Sequence, residues 1–503
     1  MRKVCIWSVV LVMVFSSFCW GSQDLTNRWI VKFKTIESIP TTKVGNPTEV
    51  INYLKQQLSN NLEVGKSTLN LQNSEKFWAA NAIAVTATPE EVKQIKQLAN
   101  VESVKPVQYR KWIFDSKDSA TLRADTTDVQ WSISKVRAPE VWNKLKIDGS
   151  GIVVGHIDTG IDAKHPLLAG KVILFKDFLA TQTEPYDDEG HGTHTAGTIC
   201  GLNGVGVAPG AKLIVAKVFD SGGSGNDENI LKAMQWMMDP DGDPKTNDFP
   251  KIVSNSWGGG PEETAFFEIT KNWEALGILP VFAAGNDGPS GKVGTPGCYK
   301  QCWAVAATTK SDALAYFSSV GPSTVNGETY VKPDIAAPGQ GVISCKANSG
   351  GALCSESGTS MACPHVAGLA ALMLQANPNL TTAQIRDIAE STAIDLGDKG
   401  KDNKFGSGRY DAFVCLSKVT AATPAENNFS GYKAVLEAEK AFLSGNSAIS
   451  PLAAPSVYYL IEKARSLDEG EFSSLRNEFS GDPSVTQVLK QAASARMFEK
   501  LQH

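Results

Sequence analysis

Between residues 24 and 115 the apolar positions switch between two periods. RWIVKFK (28–34) alternates apolar and polar residues and reads as a strand. NPTEVINYLKQQL (46–58) spaces its apolar residues as a helix does, with Pro47 and Glu49 suited to the first turn. FWAANAIAVTA (77–87) reads as a strand again. In TPEEVKQIKQLAN (88–100), Thr88 as N-cap, Pro89 at the first helical position and Glu91 two further on make a capping box. VESVKPVQYRKWIF (101–114) returns as a strand, and the stretch from Gly65 to Leu71 is expected to supply one more. The order predicts a small β-α-β-β-α-β sandwich.

The following residues, 116–128, are polar and without apolar period. They read as an exposed linker, a preferred place for proteolytic cutting. Beyond them GIVVGHIDTG, AKLIVAKVFD, PKIVSNSWGGG, LPVFAAGNDG and CWAVAATT are short apolar runs closed by Gly, Asn, Asp or Ser. Helical segments such as ENILKAMQWMMD and FEITKNWEAL separate several of them. This predicts an α/β domain over 129–420, a doubly wound, mainly parallel sheet with helices on both faces. Functional groups gather at the carboxyl ends of the strands in such sheets, and the polar cluster closing each run sits there. Residues 421–503 are expected to form a helical extension, with apolar residues at 457, 460, 461, 464 and 467 on one stripe and a second helix after Asp482-Pro483.

The N-terminus bears on where the chain works. Arg2 and Lys3 precede an apolar run from Val4 to Phe15, and Cys19 and Gly21 stand at −3 and −1 spacing. Residues 1–21 read as a secretory signal cut after Gly21. The run is short for a spanning helix, and Phe18 fits poorly with lipoprotein processing at Cys19. The expectation is a secreted (extracellular or periplasmic) monomer with no membrane span after signal removal. A net charge of −5 without a basic block gives no support for nucleic-acid binding. Export permits disulfides. Seven cysteines follow the signal, and bridges are expected for Cys345–Cys354 across a Gly-rich loop and for Cys298–Cys302 across a short turn. Cys200 and Cys363 read as inert core thiols.

Three short motifs carry chemistry. In IDTGID, Asp158 closes an apolar strand; in DEGHGTHTAGTICG, His191 stands between two glycines at a helix start; in ESGTSMACPHVAG, Ser360 opens another helix. A serine there caps the helix in many proteins. A serine nucleophile needs a base, and imidazole held by a buried carboxylate suits that task.

The blocks IDTGID, HGTHTAG and SGTSMACPHVAG, in the order Asp, His, Ser, resemble the subtilisin family of serine proteases. The resemblance implies a subtilisin-like catalytic domain with Asp158 orienting, His191 as general base and acid, and Ser360 as nucleophile. It makes the Asn286 amide and the Ser360 N–H the oxyanion donors. It implies two edges for an extended peptide, one at Gly223, Ser224 and Gly225 and one at Ser256, Trp257 and Gly258. The first specificity pocket then lies between Ser256–Gly258, Ala283, Ala284, Gly285, Asn286 and Gly294. None of these residues is charged, so large apolar residues are expected there rather than Lys or Arg. The early unit, 24–115, becomes a ferredoxin-like α+β propeptide that inhibits the enzyme until cut at the 116–128 linker. The activity implied is a self-processing secreted endopeptidase acting on proteins or peptides; an idle peptide-binding protein of this fold and an esterase are the alternatives.

Other polar residues need weighing. His191 and His194 lack the HEXXH pattern and a third ligand, so zinc chemistry is not expected and His194 reads as structural. His156 shares a strand face with Asp158. It either hydrogen-bonds near the triad or satisfies a buried backbone group, the second being the expectation. Pro364 is expected to be tolerated as a first-turn residue of the Ser360 helix. The acidic insertion 237–249 reads as a solvated loop, with Asp239, Asp241 and Asp243 as candidates for structural calcium. No cofactor is expected for the chemistry.

Overall fold

A computed structural model describes residues 25–422 except 36–37, 66–67, 70, 115, 123–127 and 261–263; for 116–122 and 421–422 it describes the backbone. The signal sequence and the helices expected beyond residue 422 lie outside the described residues.

The first unit consists of β1 (Arg28–Phe33), α1 (Pro47–Gly65), β2 (Glu75–Phe77), β3 (Ala82–Thr86), α2 (Pro89–Ile95) and β4 (Val101–Pro106). Its sheet has the order β2-β3-β1-β4, antiparallel throughout. The capping box of α2 forms as the sequence implies, Thr88 Oγ1 accepting from Glu91 N–H while the Glu91 carboxylate accepts from Thr88 N–H. Three readings need correction. Among the described residues of 65–71 no strand forms: Thr68 and Leu69 N–H close onto Gly65 O at the end of α1, and the extra strand is β2. The run 77–87 is broken by a 3₁₀ turn at Trp78–Ala80, where Asn81 takes φ 49°, a left-handed position that Asn tolerates. The run 101–114 splits, and its second half, β5 (Tyr109–Lys111), leaves this sheet altogether.

β6 (Ser116–Leu122), α3 (Trp131–Lys135) and α4 (Ala138–Glu140) lead into the second unit. There follow β7 (Val153–Asp158), β8 (Val172–Asp177), α5 (His191–Cys200), β9 (Lys212–Lys217), β10 (Ser224–Asn226) and α6 (Asp227–Trp236). The middle of the domain holds β11 (Ile252–Asn255), α7 (Phe267–Ala275), β12 (Leu279–Ala283), β13 (Trp303–Thr308), β14 (Ser323–Val325) and β15 (Glu328–Tyr330). It closes with β16 (Ile335–Pro338), β17 (Val342–Cys345), β18 (Leu353–Ser357), α8 (Thr359–Ala376), α9 (Thr382–Ser391) and α10 (Ala412–Ala422). Seven strands form a parallel sheet in the order β16-β13-β12-β11-β7-β9-β8. This is the doubly wound α/β sheet expected for a subtilisin-like domain.

Strand residues alternate between two apolar layers. Leu213 and Val215 of β9 pack with Ala196, Ile199, Val366 and Leu369 of α5 and α8. Ile214 and Ala216 pack on the other face with Ile230, Leu231, Met234 and Trp273 of α6 and α7. That second layer also takes in Val50, Ile51, Leu54 and Phe77 of the first unit. Each such fully buried side chain contributes about 1.5–3 kcal/mol, so the two units share one apolar core across α6 and α7. Polar contacts fix the docking. Arg28 grips Glu228 with two bonds of 2.8 and 2.9 Å, Gln235 bonds Ala79 N and Lys76 O, Asn272 donates to Ala79 O, and Lys55 meets Asp239 at 2.9 Å.

None of the seven described cysteines is in a disulfide, and all are buried. The β17–β18 register sets Cys345 opposite Leu353 and Ser344 opposite Cys354. Because side chains alternate along a strand, Cys345 and Cys354 face opposite sides of the hairpin and cannot be bridged. The Cys298 thiol instead lies 3.4 Å from Thr295 Oγ1. Cys200 and Cys363 are core thiols as expected, both pushed up to about 11 by burial.

The linker reading also changes. The backbone of 116–122 is strand β6, antiparallel to β18, with Ser116 opposite Ser357 and Leu122 opposite Leu353.

Candidate active site

Asp158 ends β7, His191 begins α5, and Ser360 is the second residue of α8. Two glycines allow the first two to meet. Gly160 takes φ 113°, and a Cβ there would strike Tyr186 O at 2.0 Å; a Cβ on Gly192 would strike Gly160 O at 2.2 Å. The turn after β7 and the first turn of α5 are therefore pressed backbone to backbone. Asp158 Oδ1 lies 2.7 Å from His191 Nδ1, and both side chains are fully buried. Oδ1 also accepts from Thr159 N–H at 2.7 Å. Burial pushes the Asp158 carboxyl up, but the His191 charge and hydrogen bond, with the Thr159 N–H, hold it below its ordinary value. It remains ionised and fixes the proton of His191 on Nδ1, leaving Nε2 as the basic nitrogen.

Ser360 Oγ donates to Ser256 O at 2.9 Å, and Ser256 Oγ donates in return to Ser360 O at 2.8 Å. The second bond explains a feature that the sequence reading placed wrongly. Pro364 is the sixth residue of α8, inside the helix rather than in its first turn. Having no N–H, it leaves the carbonyl four residues back without its helical partner, and that carbonyl is Ser360 O. Ser256 supplies the missing donor.

Asn286 follows β12. Its Oδ1 accepts from Thr359 N–H and Thr359 Oγ1–H, each at 2.9 Å, and Thr359 Oγ1 accepts from Gly285 N–H at 3.0 Å. These donors identify the oxygen of the amide and fix its rotation, so the NH₂ is presented from a held side chain. Gly294 N–H bonds Ala284 O at 2.9 Å and Gly259 N–H bonds Thr295 O at 2.8 Å, so the backbones at 259, 284 and 294–295 lie side by side.

The two glycine-rich edges hold a peptide, and it comes from the chain itself. β5 pairs antiparallel with β10, Ser224 opposite Lys111, Gly225 opposite Arg110 and Asn226 opposite Tyr109. Trp112 N–H then bonds Gly223 O at 2.9 Å, and Gly258 N–H bonds Trp112 O at 3.3 Å. The Trp112 ring is buried edge-on to Trp257 and Phe266, and its Nε1–H donates to Gly225 O at 3.2 Å. Trp257, expected at the edge, is thus also the floor of an aromatic pocket shared with Phe219 and Phe282.

His194 is structural as expected, its Nε2 lying 3.1 Å from Val342 O and 3.3 Å from Cys354 O. His156 departs from expectation. It bonds a side chain, Thr195 Oγ1 at 2.9 Å, and its Nε2 lies 3.9 Å from Asp158 Oδ2. In the acidic insertion the carboxylates that converge are Asp239, Asp241 and Asp248, their ligand atoms within 4.8 Å of one another. Asp243 is not among them; its carboxylate accepts from Lys245 N–H instead. Asp239 and Asp248 are buried, which corrects the picture of a wholly solvated loop.

A doubly wound parallel domain that carries a buried Asp–His pair and, on a separate helix start, a serine is, by class, a serine endopeptidase of the subtilisin type. The chain belongs to the subtilase family, whose model matches residues 149–408. It is 34% identical over 424 residues to bacillopeptidase F of Bacillus subtilis (strain 168), covering 76% of this chain and 28% of that protein. It is 36% identical over 332 residues to subtilisin NAT of Bacillus subtilis subsp. natto, covering 64% and 78%. M-protease of Shouchella clausii (strain KSM-K16) is 31% identical over 413 residues, covering 80% and 95%. The chain therefore spans under a third of bacillopeptidase F but most of the two shorter relatives. Among the described residues no helix is long and apolar enough to cross a membrane.

Proposed function

We propose that the chain is exported as a self-processing zymogen whose 129–420 domain hydrolyses peptide bonds through Asp158, His191 and Ser360. Ser360 Oγ attacks the carbonyl carbon while His191 Nε2 takes its proton, and Asp158 stabilises the imidazolium. The oxyanion is met by Ser360 N–H at the start of α8 and by the Asn286 amide, whose rotation Thr359 already fixes. His191 returns the proton to the leaving amine, and water then hydrolyses the acyl-enzyme. The residues 24–115 act as propeptide, and the acyl groups accepted are expected to follow large apolar residues.

The observation that carries this reading is the third strand in the cleft. Residues 109–113 lie between the 223–226 and 257–258 edges with a substrate's backbone bonds, and 116–122 lie along β18, which ends three residues before Ser360. An extended segment added to strand edges in this way is substrate-like β-augmentation, and it favours an endopeptidase over an esterase or an idle binding module. The processed enzyme is expected to be monomeric and extracellular and to need no cofactor for the chemistry. Should calcium bind the 237–249 loop, Asp239, Asp241 and Asp248 would hold it, since Asp239 Oδ1 is buried without a hydrogen-bond partner. The test is a fluorophosphonate probe with peptide mapping of the label: attachment to Ser360 is expected, and an unlabelled, folded protein overturns the catalytic reading.

A further inference from the structure

Asp158 has two carboxylate oxygens, and the triad uses one. Oδ1 accepts from His191 and from Thr159 N–H. Oδ2 is reached by Thr195 Oγ1, on the turn of α5 after His191, at 3.3 Å. That hydroxyl has one proton and three acceptors within reach: Asp158 Oδ2, His191 O at 3.1 Å and Gly192 O at 3.2 Å. A serine or threonine in mid-helix ordinarily turns its proton back to such carbonyls. Here a fourth group meets the same oxygen, His156 Nε2 at 2.9 Å.

We infer that His156 is a positioning residue that, acting through Thr195 Oγ1, holds the Asp158 carboxylate in the rotation His191 needs. The tautomer decides the direction of the chain. With its proton on Nε2, His156 donates to Thr195 Oγ1, and the threonine proton is left for an acceptor. With its proton on Nδ1, His156 would take the threonine proton and Oδ2 would lose its donor. Nδ1 is buried with no hydrogen-bond partner. A bare ring nitrogen tolerates that site far better than an unsatisfied N–H does, so the Nε2–H form is selected. The donation runs from His156 to Thr195, whose proton goes to Asp158 Oδ2 because, of its three acceptors at 3.1, 3.2 and 3.3 Å, that one carries the charge.

The ring acts as a neutral donor. Its titratable neighbours are Asp158 on its own strand, His191 on α5 and Asp187 ahead of α5; the flanking strands present Val215 and Ser254 beside it. Burial holds the imidazole below its ordinary value, so no second positive charge competes when His191 becomes an imidazolium.

The test uses the mature enzyme, with concentrations set by active-site titration. His156→Leu and Thr195→Val are each expected to lower kcat about tenfold with KM within about twofold, the size of one hydrogen bond to a charged group. The double variant should be no slower than either single one, because both break one chain. His156→Gln places an amide N–H near Nε2 and should recover kcat to within about threefold of wild type. The acid limb of kcat/KM, which reports His191, should move in His156→Leu and Thr195→Val and stay in His156→Gln. Should His156→Leu fail to mature, Thr195→Val against His156→Gln carries the same contrast. Wild-type kcat in Thr195→Val, losses that multiply in the double variant, or a His156→Gln as slow as Thr195→Val with an unmoved acid limb overturns the inference. Loss of fluorophosphonate labelling in the wild type would instead refute the catalytic reading on which this inference rests.

Discussion

On the proposed processing, Arg28→Ala perturbs the grip of the first unit without touching the mature enzyme. The Arg28–Glu228 pair is bidentate at 2.8 and 2.9 Å, with the two side chains only 15% and 5% exposed. An exposed pair would be worth under about 1 kcal/mol, whereas stripping one partner from a buried pair costs about 3–5 kcal/mol. Lys232 stays 3.1 Å from Glu228 and still neutralises it, so about 2–3 kcal/mol is expected. That is about 30- to 150-fold in affinity, and it should appear mainly as faster release. The assay isolates the cut but undissociated complex, dilutes it into an apolar chromogenic peptide and times the rise in hydrolysis. The pH sign follows from Glu228. Burial pushes its carboxyl up, but the Arg28 hydrogen bond and the Lys232 and Arg28 charges leave it below the ordinary 4.5. The Arg28 contribution is thus complete at neutral pH and is lost as pH falls through the depressed value. Wild type and Arg28→Ala should converge in acid. Release within threefold of wild type at neutral pH would refute the reasoning.

Ser360→Ala should abolish both labelling and self-cutting, so that intact mass after signal removal stays that of the uncut chain; loss of the first hundred residues without added protease rejects self-processing. In the wild type, the new N-terminus should follow one of the bonds joining Ile113 to Ser116, because β5 pairs with the 224–226 edge and β6 begins opposite Ser357, three residues before Ser360, and N-terminal sequencing that finds a first cut beyond Leu122 contradicts this. Asn286→Leu should lower kcat by about 10²–10³, as loss of one side-chain oxyanion donor does in subtilisin, with KM little changed; equal loss in both would make Asn286 a binding residue. Trp112→Ala removes the ring from the Trp257–Phe266 pocket and should slow the first cut at least tenfold at unchanged mature activity, read by pulse-chase; an unchanged rate rejects the pocket's part in placing the bond.

Where side chains decide the structure, the sequence was legible. The continuous apolar runs in AKLIVAKVFD and PKIVSNSWGGG report strands buried on both faces, and β9 and β11 lie where they place them. Asp158, His191, Ser360 and Asn286 could be read because each stands at an element terminus marked by glycine or a helix start. Pairwise geometry was not legible. Nothing in the spacing tells that Ser256 replaces the donor Pro364 lacks, or that Thr195 lies between His156 and Asp158. His156 stood out only because a polar ring two residues from Asp158 shares its strand face, and its partner comes from another element. Proximity in sequence likewise misled for Cys345 and Cys354, since the hairpin register turns them to opposite sides.

The segments that were misread fail for a different reason. Residues 109–111, read as continuing the strand from 101, and 116–122, read as a linker, pair as strands through backbone bonds to β10 and β18. A strand added to an edge in this way needs no apolar period, so DSKDSATL carries none and looks like a linker. Anchoring side chains are needed only where a pocket exists, and Trp112 is the one ring of the segment buried against the aromatic floor. A cleft that must accept many sequences has to grip peptide backbone, and the stretch of chain that occupies it is then free to look like anything. The polar, aperiodic composition of 116–122 is what such backbone pairing permits, and it is the pairing with β18, which ends three residues before Ser360, that gives the segment its meaning.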